Sequence, residues 1–152
     1  MTNENIKILI LKKLHQVLDE KIETINQAIA SAKGARDSDT KSSAGDKYET
    51  GRAMMQIEID NNNVQLNKTL QLKRELSSIN ANTEKDHVGY GSLVITSQGN
   101  YFLSIGLGKI SVEKQDYYTI SLASPIGKLL HSRTVGEKFL FQKREFIVQE
   151  II

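Results

Sequence analysis

Apolar residues recur at intervals of three and four along residues 5–33, and this spacing predicts one long amphipathic helix. The positions that define its apolar face are Leu11, Leu14, Leu18, Ile22, Ile25, Ile29 and Ala32. Gly34 interrupts the pattern, and residues 35–45 are short, polar and poor in apolar side chains. The sequence therefore predicts that the helix ends at Gly34 and that a loop follows it.

A second helical pattern covers residues 46–79, although it is weaker than the first. Met55, Ile59, Leu66, Leu70 and Leu76 keep the helical period, whereas Asn62 and Lys73 interrupt it. Two helices of similar length joined by a short polar loop pack most simply as an antiparallel hairpin. The apolar stripe is narrow, as in a coiled-coil seam. We therefore predict a helical hairpin over residues 1–82, with its tip near residues 35–50.

The pattern changes to β-strands after a polar, glycine-containing stretch around residues 80–90. Segments rich in β-branched and aromatic residues predict strands, and these segments are 92–97, 101–107, 116–123, 138–143 and 144–152. The first two flank a short glycine-containing turn, which predicts a β-hairpin. One short helix is predicted at 124–133, with Ser124 as its cap and Pro125 in its first turn. Residues 88–152 thus form a second domain, and the fold class is α+β.

Composition narrows the range of functions. The chain has 152 residues and no cysteine. The absence of cysteine excludes disulfide scaffolds, thiolate zinc sites and cysteine nucleophiles. Its net charge of +2 is too small to indicate nucleic-acid binding by itself. The N-terminal apolar run is too short to span a membrane and is followed by no small-residue cleavage site. We therefore expect a cytoplasmic protein without a membrane partner.

Few residue patterns suggest chemistry. His15, His87 and His131 have no ligand spacing, and the Gly-x-Gly stretches at 89–91 and 106–108 open no helix. A group of basic residues late in the chain has two interpretations. It can form a patch that binds RNA or the acidic surface of another protein, or it can be an ordinary solvated rim, which the composition favours. This group consists of Lys128, Arg133, Lys138, Lys143 and Arg144.

Asp46 and Glu49 form an acid pair at the predicted hairpin tip. Their spacing of three residues places both carboxylates on one side of a helix start. Acids at such a position also cap a helix and favour its dipole, which is the simpler interpretation. Alternatively, two carboxylates at the end of an arm can enter another protein's cavity and supply ligands to a Mg²⁺ ion there.

The C-terminal segment resembles a known family. The residues that carry the resemblance are Ile120-Ser121, Ser124-Pro125-Ile126-Gly127, Leu130 and Gly136-Glu137, preceded by "VGYGSLVIT" at 88–96. In this order they are similar to the C-terminal domain of the Gre transcript-cleavage factors, GreA and GreB, over residues 88–152. Members of that family have an FKBP-like C-terminal domain behind an N-terminal antiparallel coiled coil, so the resemblance implies this architecture.

The resemblance extends to the tip, where the family carries Gly-Asp-x-x-Glu-Asn. Gly45, Asp46 and Glu49 match this pattern, whereas Thr50 replaces the asparagine. Gly51-Arg52 stands where alanine and an acid are usual, and the polar stretch before the tip is longer than in the family.

The resemblance implies a transcription elongation factor that binds RNA polymerase in its secondary channel and stimulates cleavage of backtracked RNA. Asp46 and Glu49 are the implied functional acids, acting on a Mg²⁺ ion shared with the polymerase. The chain is then no enzyme itself, has no cofactor of its own, works as a monomer, and contacts RNA or DNA only indirectly in the elongation complex.

Three alternatives remain open. Thr50 and Gly51 favour a regulator that binds the channel without stimulating cleavage. The FKBP-like domain suggests a peptidyl-prolyl isomerase, but the chain has no tryptophan and its strand aromatics are placed as core residues; these are Tyr101, Phe102, Tyr117, Tyr118, Phe139, Phe141 and Phe146. The third alternative is a coiled-coil interaction module that does not bind polymerase.

Overall fold

The computed structural model describes residues 3–38, 45–82 and 85–152, with side chains from residue 6 and, after the first gap, from residue 49. Over these residues two long helices precede a sheet and a short helix, which confirms the predicted α+β class. The helices are α1 (Asn3–Ser38), α2 (Gly45–Ser77) and α3 (Pro125–Leu130). The strands are β1 (Leu93–Thr96), β2 (Gly99–Leu103), β3 (Gly108–Val112), β4 (Gln115–Ile120), β5 (Lys138–Phe141) and β6 (Arg144–Ile151).

The chain forms two compact units. One contains Gln16–Lys73, and the other contains the described residues up to His15 together with those from Arg74 onward. The first turns of α1 and the last turn of α2 therefore belong to the same unit as the sheet. The predicted domain limits of 1–82 and 88–152 stay a prediction.

The unit Gln16–Lys73 is an antiparallel pair of helices, because its cross-helix contacts run in opposite directions along the chain. Lys73 Nζ lies 2.6 Å from Asp19 Oδ1, and Arg36 donates to Gln56 Oε1 over 2.7 Å. Between these contacts lies an apolar cluster of Ile25, Ile29, Ala32 and Ile59, with Leu66 packed against it. The predicted hairpin packing is thus confirmed for this unit.

The predicted end of the first helix was wrong, because α1 continues through Gly34 to Ser38. A glycine inside a helix costs about 1 kcal/mol relative to alanine. Contacts on both sides of Gly34 offset that cost: Ala32 is buried in the apolar cluster, and Arg36 is hydrogen-bonded to Gln56. Of the predicted loop at 35–45, residues 39–44 lie outside the described residues.

The buried face of α2 is more regular than its apolar residues suggest. Thr69 is 1% exposed, and its hydroxyl donates to the Gln65 carbonyl over 2.8 Å. Asn62 and Lys73, predicted as interruptions, are partly buried and keep the alternating four-and-three spacing that joins Ile59 to Thr69. Polar residues at such positions fix the register of a helical pair at some cost in stability. The seam is therefore continuous but polar at several positions.

The strands form a sheet in the order β3-β4-β2-β1-β6-β5, in which β2 and β4 are parallel and the other neighbours are antiparallel. The predicted hairpin of β1 and β2 is confirmed, with Thr96 opposite Gly99. Strand β3 was missed by the sequence prediction. Its turn to β4 consists of Glu113 and Lys114 at φ of 52° and 64°, where hairpins usually carry Asn-Gly.

Helix α3 begins as predicted. Ser124 accepts a hydrogen bond from the Gly127 N–H over 3.0 Å, and Pro125 occupies the first turn. Ile126 and Leu130 are buried against one sheet face. The core on this face also includes Val88, Val94, Leu103, Phe139, Phe146 and Val148. The segment that carries the family resemblance therefore closes this core.

Both faces of the central strands are buried. Leu93 and Phe102 are paired in register and fully buried, and they alternate with neighbours that belong to the α3 core. On α1 and α2, Ile10, Leu14 and Leu76 are buried within the same compact unit. Within the described residues, no helix is long and apolar enough to cross a membrane.

The aromatic side chains mostly occupy core positions, as predicted. Phe139 and Phe146 stack at 5.1 Å between ring centroids, and Phe102 and Tyr117 are also buried. Tyr118 differs from the prediction because it is 40% exposed, with its ring stacked on Tyr101 at 5.5 Å. Burial alternates along β4, with Tyr117 and Thr119 buried, so Tyr118 lies on the opposite and less covered face of the strand.

Candidate functional site at the hairpin tip

The predicted acid pair lies at the start of α2. This helix begins at Gly45, so that Asp46 and Glu49 fall within its first five residues. Glu49 is exposed, whereas the side chain of Asp46 lies outside the described residues. Gln56 makes the cross-helix contact to Arg36. Glu49 lies seven residues nearer the start of α2, which is about 10 Å at about 1.5 Å per residue. The assignment of both acids as metal-directing residues stays a prediction.

A polar network joins the two helices directly behind the tip. Arg36 donates from Nη1 to Gln56 on α2 and from Nε to Asp37 Oδ1 over 3.0 Å. Gln56 in turn donates to Asp60 Oδ1 over 3.0 Å. Because Arg36 uses two faces of its guanidinium in different directions, it fixes the end of α1 against α2. This network stabilises the part of the helical pair that lies next to the acid pair.

The electrostatics of this network favour the ionised form of Asp37. The hydrogen bond from Arg36 holds the pKa of Asp37 below its usual value, and the charges of Arg36 and Arg52 act in the same direction. Arg52 occupies a position where the Gre family usually has an acid. The tip region therefore combines carboxylates with two arginines, and it is less acidic than the matching family pattern.

The departures from the family pattern do not interrupt the helix. Thr50, Gly51 and Arg52 all lie within α2, and the helix continues unbroken to Ser77. Thr50 and Arg52 are exposed, while Gly51 is partly buried. Glu49 thus stands on a regular helical backbone, although Gly51 lowers the intrinsic helix propensity immediately after it.

The other candidate residues are dispersed. His87 Nδ1 lies 2.9 Å from Asp86 Oδ1, and His131 lies beside Ser132 on a different segment. Across the described ranges 3–38, 45–82 and 85–152, no group of three or more histidines and acids is placed to hold a metal ion.

Among the late basic residues, Arg133 has a structural role. Its Nε donates to the Leu129 carbonyl over 2.8 Å, and Nη1 donates to the Lys138 carbonyl over 3.3 Å. Its guanidinium also lies 5.0 Å from the centre of the Phe139 ring. Arg133 thus links the end of α3 to β5. The other four basic residues of the group are exposed to solvent; they are Lys128, Lys138, Lys143 and Arg144.

The sequence prediction missed a cleft next to the sheet. Its lining includes Lys7 of α1, Tyr90 and Ser92 before β1, and Lys85. Lys7 is only 2% exposed. It precedes Ile10 and Leu14 by three and seven residues, so it lies on the buried face of α1. The spacing therefore indicated that Lys7 is buried, but the sequence prediction counted only apolar residues on this face and left the lysine out.

Comparisons with known proteins add little. No family model matches the chain, and no curated protein matches it. The chain is similar to a solved structure described as "Structure of the transcription factor Gfh1", with 22% sequence identity and a TM-score of 0.34. The alignment covers 90% of this chain and 92% of the other. A TM-score this low supports no functional argument, so the proposals below rest on the residues of this chain.

Proposed function

We propose that the chain is a Gre-like transcription elongation factor that binds RNA polymerase in its secondary channel and stimulates cleavage of backtracked RNA. In this proposal the sheet unit docks on the polymerase, and the hairpin carries Asp46 and Glu49 toward the polymerase active site. The catalytic centre belongs to the polymerase, and the factor works as a monomer.

The observation that carries the proposal is the position of the acid pair on the hairpin. The matching residues Gly45, Asp46 and Glu49 coincide with the first residues of α2, beyond the last described cross-helix contact. An acid pair in the middle of the helix would instead lie alongside the partner helix. The start of α2 lies at one end of the helical pair, and Glu49 is exposed there.

A Mg²⁺ ion fits this arrangement only as a shared ion. Carboxylate oxygens are its preferred protein ligands, and Asp46 and Glu49 would supply them. Octahedral Mg²⁺ needs more oxygen ligands than two acids provide, so the polymerase and water would complete its shell. Bound in this way, the ion would lower the pKa of a coordinated water.

An apolar stripe on α2 supports a protein partner along the arm. Met54, Ile57 and Val64 are 59%, 60% and 51% exposed, and their spacing of three and seven residues places them on one helix face. Large apolar side chains exposed on one face are typical of interaction surfaces. In the proposal, this stripe contacts the channel wall.

A transcript-cleavage assay on stalled elongation complexes tests the proposed chemistry. The double variant Asp46→Asn, Glu49→Gln should lose stimulation while it still competes with the wild-type factor for polymerase. Its matched control is Glu23→Gln, Glu58→Gln, which removes two charges from exposed positions on the hairpin. This control should cleave like wild type. Equal cleavage by both double variants would contradict the role of the tip acids.

A separate binding measurement tests the partner. Ile57→Asp should weaken polymerase binding by about tenfold or more, because in the proposed complex a charge would replace an apolar side chain in contact with the channel wall. Asn63→Asp, at an exposed position of the same helix that lies off the stripe, is the control for the added charge. Failure of the wild-type chain to bind polymerase would refute the whole proposal and favour an interaction module with another partner.

The alternative of a channel-binding regulator without cleavage activity has a specific observation in its favour. Arg52 lies close enough to Asp37 to lower its pKa, so a positive charge stands near the tip where the family has an acid. Polymerase binding with no cleavage by the wild-type chain would select this alternative. Cleavage that appears only in the variant Thr50→Asn, Arg52→Glu would identify the cause.

A further inference from the structure

A row of aromatic rings crosses the sheet face on which α3 packs. Tyr118 of β4 and Tyr101 of β2 are paired in register, and their ring centroids lie 5.5 Å apart. The ring centroid of Phe146 on β6 lies 6.1 Å from that of Tyr101 and 6.3 Å from that of Phe141 on β5. We call these four residues, which all belong to the sheet-containing unit, the aromatic row.

The members of the row differ in exposure. Phe146 is buried in the α3 core, and Tyr101 and Phe141 are partly buried against that core. Tyr118 remains 40% exposed, although its ring stacks on that of Tyr101. The core therefore anchors the tyrosine pair through Tyr101, while Tyr118 keeps ring surface available to a ligand.

Gly99, at the start of β2, lies next to both tyrosine rings. A methyl group built on it would lie 3.6 Å from Tyr118 Cε2 and 3.7 Å from Tyr101 Cε2. The edges of both rings are therefore close to the same backbone position. Because a tyrosine side chain has only two rotatable bonds before its hydroxyl, a packed pair loses little conformational entropy when a ligand binds.

Positive charge lies at the β5 end of the row. Arg144 is paired in register with Phe141, so its side chain leaves the sheet on the same face as the row. Burial raises the pKa of Tyr101, and the charge of Arg144 acts in the opposite direction, so this guanidinium lies near the tyrosine pair. Lys143 precedes Arg144 in the two-residue turn between β5 and β6, at φ of 66°. A guanidinium beside aromatic rings suits a ligand that combines phosphate with planar rings.

Acids also lie near the row, and their contacts are defined. Asp116 of β4 lies on the same face, two residues before the exposed tyrosine. Its Oδ2 lies 3.7 Å from Lys109 Nζ, and its Oδ1 accepts a hydrogen bond from the Ser111 hydroxyl over 2.7 Å. Glu145 alternates with Arg144 along β6 and therefore lies on the opposite face. The β3 end of the row is thus electrically balanced, and the cation that can meet a phosphate is at the β5 end.

Single-stranded RNA matches this combination of groups. Its bases stack on aromatic rings and its phosphates accept hydrogen bonds from a guanidinium. A proline-rich peptide would use the rings but has no phosphate for Arg144, and an acidic protein surface would use Arg144 but not the rings. Because the pKa of Tyr101 is raised, its hydroxyl stays protonated and can both donate and accept, as a ribose 2′-hydroxyl does.

We propose that the aromatic row binds single-stranded RNA, with one base on the exposed ring of Tyr118 and a neighbouring phosphate at Arg144. The Tyr101 hydroxyl contacts the ribose, and Phe146 supports the tyrosine pair from the core. Of the basic residues late in the chain, Arg144 thus contacts RNA and Arg133 stabilises the fold. RNA binding at the row does not depend on polymerase binding or on the tip acids.

Titration of the full chain with a uridine hexanucleotide, followed by amide NMR shifts, tests the proposal. Saturable shifts should occur at Gly99, Tyr101, Tyr118 and Arg144. Tyr118→Ala should raise the dissociation constant about tenfold through loss of one stacked base. The matched control Leu140→Ala removes a side chain that is 69% exposed and alternates with the ring positions of β5, so it lies on the other sheet face. This control should bind like wild type.

Arg144→Gln tests the phosphate contact separately from the rings. It should reduce the slope of log binding constant against log salt concentration by about 0.7, the value for one phosphate contact on a single strand. Because Arg144 is exposed, the variant should fold normally. Lys138→Gln, at an exposed lysine on the other face of β5, should leave the slope unchanged. An unchanged slope in Arg144→Gln would overturn the phosphate contact.

Two further ligands define the occupant of the row. A deoxyuridine hexanucleotide should bind more weakly than the RNA because it lacks the 2′-hydroxyl, and equal binding would overturn the choice of RNA. A proline-rich peptide should cause no saturable shifts at Tyr101 and Tyr118. The proposal is overturned if this peptide binds there and the RNA does not, if the RNA causes no saturable shifts, or if Tyr118→Ala and Leu140→Ala bind RNA equally. None of these results would bear on transcript cleavage or polymerase binding.

Discussion

Replacement of Gly127 by alanine is expected to destabilise the sheet-containing unit, although alanine is normally the better helix former. Gly127 lies in α3 beneath the chain that leads out of β4. A methyl group built on it would collide with the Ser121 carbonyl oxygen and would lie 2.7 Å from Ser124 Oγ. The first obstacle is main chain and the second is the cap of α3, so neither can move without loss of an interaction.

The magnitude follows from three contributions. Alanine gains about 1 kcal/mol over glycine in a helix. Overpacking against the main chain costs about 1–3 kcal/mol. Displacement of Ser124 loses an N-cap worth about 1 kcal/mol, because its Oγ accepts from the Gly127 N–H and donates to the Ser121 carbonyl. The net expectation for Gly127→Ala is a loss of about 2 kcal/mol in the free energy of unfolding.

Urea unfolding followed by tyrosine fluorescence measures this effect, because Tyr90, Tyr101, Tyr117 and Tyr118 lie in the same unit as Gly127. The matched control is Gly34→Ala. Apart from its chain neighbours and the backbone of its own helix, no atom lies within 4 Å of a methyl group built on Gly34, so α1 should gain stability by up to about 1 kcal/mol, measured by circular dichroism. If Gly127→Ala were as stable as wild type, the close approach of α3 to Ser121 would be refuted.

Three further substitutions test local features of the same unit. Lys114→Gly should stabilise the β3–β4 hairpin by about 0.5–1 kcal/mol in urea unfolding, because Lys114 has φ of 64° and glycine adopts this conformation without strain; a loss of stability would contradict the turn geometry. Ser124→Ala should cost about 1 kcal/mol through loss of the α3 cap, and an unchanged unfolding midpoint would argue against that cap. Hydrogen bonds from the Thr134 N–H and hydroxyl lower the pKa of Glu137. Ionised Glu137 therefore contributes to the free energy of unfolding above the usual glutamate pKa of about 4.3, and this contribution is lost as pH falls through the lower folded pKa. Glu137→Gln should therefore reduce the acid-induced loss of stability, and an identical pH profile would refute the assignment.

The sequence determined the elements whose signals are local. Helical periodicity located both long helices, because a three-and-four spacing of apolar residues reports one buried face without any knowledge of its partner. Ser124 and Pro125 located the start of α3, since a cap is formed by residues adjacent in the chain. The acid pair was found in the same way, from its spacing beside a predicted helix start.

The tertiary structure decided the features that depend on contacts between distant residues. The bond from Arg36 to Gln56 explains why α1 passes Gly34, and it joins positions on two different helices. Strand β3 forms by pairing with β4, and the turn between them consists of two non-glycine residues at positive φ.

The cleft shows the same division between local and distant information. Its two lysines, Lys7 and Lys85, are separated by just over half of the chain and meet only after folding. Hydrophobic spacing and capping act between near neighbours and can be read from one segment. Burial of a charge, the end of a helix within a packed hairpin and the shape of a binding site depend on which surface arrives opposite, and only the folded chain defines that surface.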